Sequence, residues 1–197
     1  MKSLLPSAES AKPSSPTPLP SSPGQDASLV LGGGCFWCLD AAYRLVPGVR
    51  LVTCGYAGGK EPNPTYEQIC AHTTSHAEVV KIDFDPVQVS IERLLDLFWK
   101  IHDPTQVGGQ GHDLGPQYRS IILPADAAQK AAIERSCAGA AQSFRDPLTT
   151  EVVLLEKFWL AEAYHQDYFA KHPGQGYCAA VIAPKIRKLA QLLAKAG

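Results

Sequence analysis

No excess of either charge marks this chain. In 197 residues, 18 Lys and Arg stand against 19 Asp and Glu, a net charge of −1. Without a basic surplus there is no electrostatic footprint for nucleic acid, and without a polybasic run none for a membrane surface. No apolar run reaches the roughly 18 residues that a bilayer span needs. The chain also lacks a second Cys-x-x-Cys, so Cys35 and Cys38 do not have the paired cysteines of a zinc site, and no metal is expected. A secretory signal is missing as well: Met1-Lys2-Ser3-Leu4-Leu5 meets Pro6 before an apolar stretch of about 7–15 residues can form.

Six cysteines are present: Cys35, Cys38, Cys54, Cys70, Cys137 and Cys178. A chain of this length buries enough apolar surface to fold without disulfide staples. Reduced thiols in a cytoplasmic protein are therefore expected, most of them packed as small hydrophobes. Residues 1–27 are rich in Ser and Pro and contain no Arg. Such a segment cannot offset its ordering entropy by burial, so a disordered tail is expected, followed by a single folded domain over 28–197.

Within that domain, Leu29-Val30-Leu31 reads as a strand, followed by Gly32-Gly33-Gly34-Cys35. Phe36, Leu39, Tyr43 and Val46 fall at helical spacing, and Pro47-Gly48 stops that helix. Strands are predicted over 49–56, 77–84, 117–123 and 150–155. Helices are predicted over 90–101, 126–143, 161–170 and from Pro184 onward, with a Gly-rich loop over 107–116. Thr65 and Gln68 form a capping box for a short helix. Strands and helices mix without strict alternation, which favours an α+β sandwich over a doubly wound sheet.

Cys35 follows a glycine turn at the head of a predicted helix, where free N–H groups and the macrodipole stabilise a thiolate. The glycines permit a tight turn and a close approach by substrate. Phe36 and Trp37 have the bulk to wall an apolar pocket for a thioether methyl group, or to pack in the core. Cys38, three residues on, brings a second sulfur near the first, as in a thioredoxin-type dithiol. In the strand around Glu78, that carboxyl shares a face with Val80, Ile82 and Phe84. An acid on a buried face keeps its proton near neutral pH and can donate it, whereas one at the strand's end can reach solvent. Tyr66 and Tyr118 sit at loop-to-element junctions, where a phenol can donate to a developing oxyanion. Asp113 lies in the Gly-rich loop. Cys178, flanked by Gly174 and Gly176, suits a mobile thiol that reaches toward a sulfenic acid. The histidines show no nucleophile–base spacing.

Taken together, these segments resemble the A-type peptide methionine sulfoxide reductases. The matching stretches are Gly34-Cys35-Phe36-Trp37, Gly55 to Gly59, Pro62 to Tyr66, His76-Ala77-Glu78, His102 to Gln106, Gln117 to Ser120 and Tyr164 to Tyr168. They run in order from residue 28 to about 188 and are highly specific in combination. The resemblance implies a two-layer α+β sandwich with a mixed, ferredoxin-like sheet. It implies reduction of the S epimer of methionine sulfoxide, free or in peptides, by a monomer without metal or organic cofactor. Thioredoxin is the implied source of reducing equivalents. Cys35 takes the nucleophile's position, Phe36 and Trp37 the methyl pocket, Glu78 the acid, and Tyr66 and Tyr118 the sulfoxide oxygen, with Asp113 in the site. Cys178 matches a recycling position, and Cys38, where Gly is usual, competes with it as resolving thiol. His112 and Pro116 also depart from the family pattern, near Asp113. A dithiol exchanger using Cys35 and Cys38, or a non-enzymatic binding module, are the other readings of these residues.

Overall fold

Leu29 and Leu31 point to one side of the first strand and Val30 to the other, and all three are buried. In the computed structural model, which describes residues 26–194, this strand is β1 (Ala27–Gly32). Most of the expected tail, residues 1–25, lies outside the described residues. Ala27, counted with that tail, instead pairs with Phe84 in the sheet.

The chain continues through α1 (Phe36–Tyr43), β2 (Val49–Ala57), α2 (Tyr66–Cys70), β3 (Ala77–Phe84) and α3 (Ile91–Ile101). A small hairpin follows, β4 (Gly109–Gln110) with β5 (Asp113–Leu114), then β6 (Ile121–Leu123), α4 (Ala127–Ala141), β7 (Glu151–Val152) and β8 (Trp159–Leu160). The last helices are α5 (Tyr168–Lys171) and α6 (Ala183–Ala194). One mixed sheet orders its strands β7-β6-β1-β3-β2-β8, with β6 and β7 parallel and the other neighbours antiparallel.

Period-two alternation divides the core. Leu29, Leu31, Val52, Tyr56, Val80, Ile82 and Ile122 meet the helices, including Leu39 of α1, Leu94 and Phe98 of α3 and Ile133 of α4. Val30, Val79, Ile121 and Leu123 form a smaller cluster, packed against Leu155 and Phe158. Each fully buried aliphatic side chain contributes roughly 1.5–3 kcal/mol. Directional bonds fix the helices: the Tyr43 hydroxyl donates to the Leu94 carbonyl at 3.0 Å, and Trp99 Nε1 to Ser136 Oγ at 2.9 Å.

Local signals set most boundaries. Ser90, Asp126 and Thr65 each accept an N–H of the helix they cap, and the Thr65/Gln68 capping box is present. Four expectations need correction. Helix α1 stops at Tyr43 rather than 46, and Arg44 turns back to Asp40 Oδ1 and the Val52 carbonyl, each at 2.9 Å. The strand expected over 117–123 begins as a 3-10 turn, Pro116–Tyr118, because Pro116 has no N–H for a ladder; only Ile121–Leu123 pair. The strand expected over 150–155 pairs as a strand only at Glu151–Val152, on the sheet edge. The helix expected over 161–170 is a 3-10 turn, Ala163–His165, and then the short α5. There the Gln166 amide bonds both backbone groups of Cys54, at 2.9 and 3.0 Å, and Asp167 takes a left-handed φ of 55°. The Gly-rich loop also holds the β4–β5 hairpin.

Candidate active site

Gly32 ends β1 against β3 so closely that a Cβ there would lie 2.5 Å from the Glu78 carbonyl oxygen. Gly34 takes φ +92°, with Gln110 packed on it, and its N–H donates to the Tyr118 carbonyl at 3.0 Å. These glycines therefore admit neighbouring protein atoms rather than substrate. Their close packing presents Cys35 at the N-terminal end of α1 and brings Tyr118 alongside.

Glu78, from the head of β3, is 2 % exposed and accepts the Phe36 N–H at 3.0 Å. Burial raises its pKa from 4.5 to about 8; the Phe36 bond opposes that rise, while Asp113 and Cys38 add to it. At neutral pH the carboxyl keeps its proton.

Cys35, Phe36, Trp37, Tyr66, Glu78, Asp113, Tyr118 and Tyr177 line one cavity of about 250 Å³. Residues spread over more than a hundred positions of sequence thus meet at the first turn of α1. Tyr66 is held by its own N–H, which donates to Glu162 Oε1 at 2.9 Å; the other Glu162 oxygen accepts the Tyr56 hydroxyl at 2.8 Å. Burial pushes the Tyr66 and Tyr118 phenols well up, so both remain hydrogen-bond donors. Trp37 stacks on Tyr168 with centroids 3.8 Å apart, and Phe36 lies 6.1 Å from Trp37. His165 fills the space behind them, 4.9 Å from Phe36 and 4.5 Å from Tyr66.

Tyr177 was not singled out by the sequence reading. Its hydroxyl donates to Asp113 Oδ2 at 2.7 Å, across 64 positions of sequence. Its place beside Cys178 was the only local sign. His102 makes two bonds, to the Phe98 carbonyl and Ser120 Oγ, and burial lowers its pKa to about 4, so it is a neutral packing residue.

Two expectations about the thiols are overturned. Cys35 does stand at a helix N-terminus, but burial pushes its thiol well above 9.0, with contact to Cys38 and the nearby Glu78 adding to the rise. Cys178 does not stand in a glycine loop. It is fully buried and opens a π-helical turn, Cys178–Ile182, that runs into α6. Cys38, one turn below Cys35, is lowered, first by the Cys35 thiol and then, against burial, by Lys185. Lys185 Nζ lies 3.9 Å from Cys38 Sγ. Among the described residues, no group of three or more His, Cys, Asp or Glu is positioned to hold a metal ion, and no helix is long and apolar enough to cross a membrane.

The family profile described as peptide methionine sulfoxide reductase matches residues 27–196. A peptide methionine sulfoxide reductase MsrA of Nautilia profundicola is 56% identical over 161 residues, covering 81% of this chain and 91% of that relative. The MsrA of Haloquadratum walsbyi is 50% identical over 159 residues, covering 81% and 91%. Among solved structures, methionine sulfoxide reductase A of Corynebacterium diphtheriae superposes with a TM-score of 0.75 at 34% identity, covering 80% of each chain. Reduced Mxr1 of Saccharomyces cerevisiae gives 0.75 at 30% identity, covering 80% of this chain and 91% of that one.

Proposed function

The chain belongs to the peptide methionine sulfoxide reductase family, and on that premise we propose how its residues carry out thiol-dependent reduction of methionine sulfoxide. The observation that carries this reading is the single cavity lined by both the Cys35 thiol and the protonated Glu78 carboxyl.

Phe36 and Trp37 bind the S-methyl group. Glu78, with the Tyr66 and Tyr118 hydroxyls, donates to the sulfoxide oxygen, and Asp113, held by Tyr177, borders the same cavity. Cys35 loses its proton as substrate binds and attacks sulfur. Oxygen gains basicity as the S–O bond weakens, so the Glu78 proton stabilises the transition state more than the ground state. Oxygen passes to Cys35, which becomes a sulfenic acid, and methionine leaves. A second thiol, Cys38 or Cys178, condenses with the sulfenic acid to form a disulfide and water. Thioredoxin then reduces that disulfide by exchange. Neither metal nor organic cofactor takes part.

Several finer readings belong to the same proposal. The substrate is the S epimer, free or peptide-bound. The catalytic domain is 28–197, extended by Ala27, and the segment before it is a tail. The protein works as a cytoplasmic monomer, a setting that suits six free thiols. The inner strands, β6-β1-β3-β2, with α1 after β1 and α3 after β3, support a ferredoxin-like two-layer sandwich. A general dithiol exchanger fits less well, because it has no use for a protonated Glu78 in the same cavity as Cys35.

The test is a single turnover without reductant on each resolved epimer of a methionine sulfoxide peptide. Methionine is expected from the S epimer with the wild type and none with Cys35→Ser. Equal release from that variant excludes Cys35 as the nucleophile.

A further inference from the structure

Lys185 takes no part in the chemistry above, yet it meets Cys38, one of the two candidate resolving thiols. The ammonium lies 3.9 Å from Cys38 Sγ, bridging 147 positions of sequence from α6 to α1. Helices α1 and α6 pack together, so this is a contact within the fold. We propose that Lys185 is a positioning residue that makes Cys38 the thiol closing first on oxidised Cys35. The inference rests on the reductase reading and decides which sulfur completes it.

Three observations favour Cys38 over Cys178. The first is reach. Cys38 N–H already donates to the Cys35 carbonyl at 3.0 Å, and residues three apart on a helix have Cβ atoms about 5–6 Å apart. A disulfide needs roughly 3.5–4.5 Å, so a small adjustment of the first turn suffices. The second is connection: Cys38 shares the first turn of α1 with Cys35, whereas Cys178 stands on a separate element, the π-helical turn before α6. The third is charge. Cys38 touches Lys185 from α6 and bonds Cys35 at the N-cap of its own helix and Tyr177 before the π-helical turn, while Asp113 from β5, Glu78 from β3 and Cys178 act on it electrostatically. Lys185 is the one cation in that set. It draws Cys38 toward its anion while burial holds the Cys178 thiol up.

The step balances. The Cys38 thiolate attacks the sulfenic sulfur of Cys35; the S–S bond forms and the S–O bond breaks. Cys38 is oxidised and Cys35 reduced to the disulfide level, and the departing hydroxide takes a proton to become water. Cys178, in the same buried cluster as Cys35 and Cys38, can receive the disulfide by exchange in a later step.

The test follows disulfide formation after one turnover, by acid quench, alkylation and mass mapping across pH. Wild type should yield the Cys35–Cys38 bridge first. In Lys185→Met, at an exposed position, methionine release in that turnover should be unchanged while bridging changes with a specific sign. If the Cys38 pKa rises by about one, thiolate falls tenfold below it while each thiolate becomes about threefold more nucleophilic. Bridging should therefore slow about threefold at low pH and quicken about threefold at high pH. Lys185→Arg should restore the wild-type profile. A first bridge between Cys35 and Cys178, or a Lys185→Met profile without crossover, overturns the inference. Absence of methionine release in wild type overturns the underlying reductase reading instead.

Discussion

Replacing Glu78 with Gln separates the proton from the hydrogen bond. The amide oxygen can still accept the Phe36 N–H now held at 3.0 Å, and the shape is conserved. What disappears is a titration. A carboxyl that holds its proton to about pH 8 instead of 4.5 has an ionised form disfavoured by about 5 kcal/mol. Between those pH values the folded protein keeps a proton that the unfolded chain has released. Its stability therefore falls as pH rises through that window. Glu78→Gln lacks this loss, so its stability relative to wild type should improve by about 3 kcal/mol between pH 5 and 7.5, read by urea unfolding.

Activity should move the other way. Loss of a general acid costs about 10²–10⁴ in the first turnover. The pH profile is the sharper test. Reaction needs Glu78 protonated and Cys35 ionised, and the thiol titrates above the acid. Wild-type kcat/KM should climb tenfold per pH unit to about 8 and then level, because each added thiolate is matched by a lost acid proton. In Glu78→Gln only the thiol titrates, and the climb should pass through pH 8 without a break. A variant within about threefold of wild type, or one that keeps the break, would refute the assignment of Glu78 as the proton donor.

Tyr118→Phe and Tyr66→Phe should each slow the first turnover by about a hundredfold, the usual cost of one oxyanion donor; wild-type rates would remove the phenols from the oxygen site. Gly32→Ala forces a Cβ to within 2.5 Å of the Glu78 carbonyl oxygen. It should cost about 1–3 kcal/mol in urea unfolding and disturb the acid, and a neutral result would mean that β1 and β3 can part freely. Thr65→Ala removes the capping box of α2, with an expected loss of about 1 kcal/mol; an unchanged urea midpoint would count against the cap. The only methionine is Met1, so self-oxidation can add a single sulfoxide signal to any mass assay.

Strand β3, the Thr65 cap, the helix starts near Ser90 and Asp126, and the strand face that Glu78 shares with Val80, Ile82 and Phe84 were legible because each depends on a few adjacent residues. The contacts that finish the site were not. Tyr177 meets Asp113, Gln166 bonds Cys54 and Lys185 meets Cys38 across 64, 112 and 147 positions, and no local period encodes such meetings. Cys178 misled because flanking glycines state what a backbone can do, whereas packing of Ile182 and Leu189 into the core decides what it does. Cys35 misled by magnitude. A helix terminus is worth about 0.3–2 kcal/mol to an anion, while full burial can shift a pKa by several units. That outcome ties the two groups together: the burial that keeps Cys35 a thiol also keeps Glu78 an acid. Opening the cavity to water would ionise the carboxyl and lose the proton donor, while the thiol, ordinarily near 9.0, would stay mostly protonated at neutral pH. The resting site therefore holds its proton on the carboxyl and waits for substrate to draw the thiolate out.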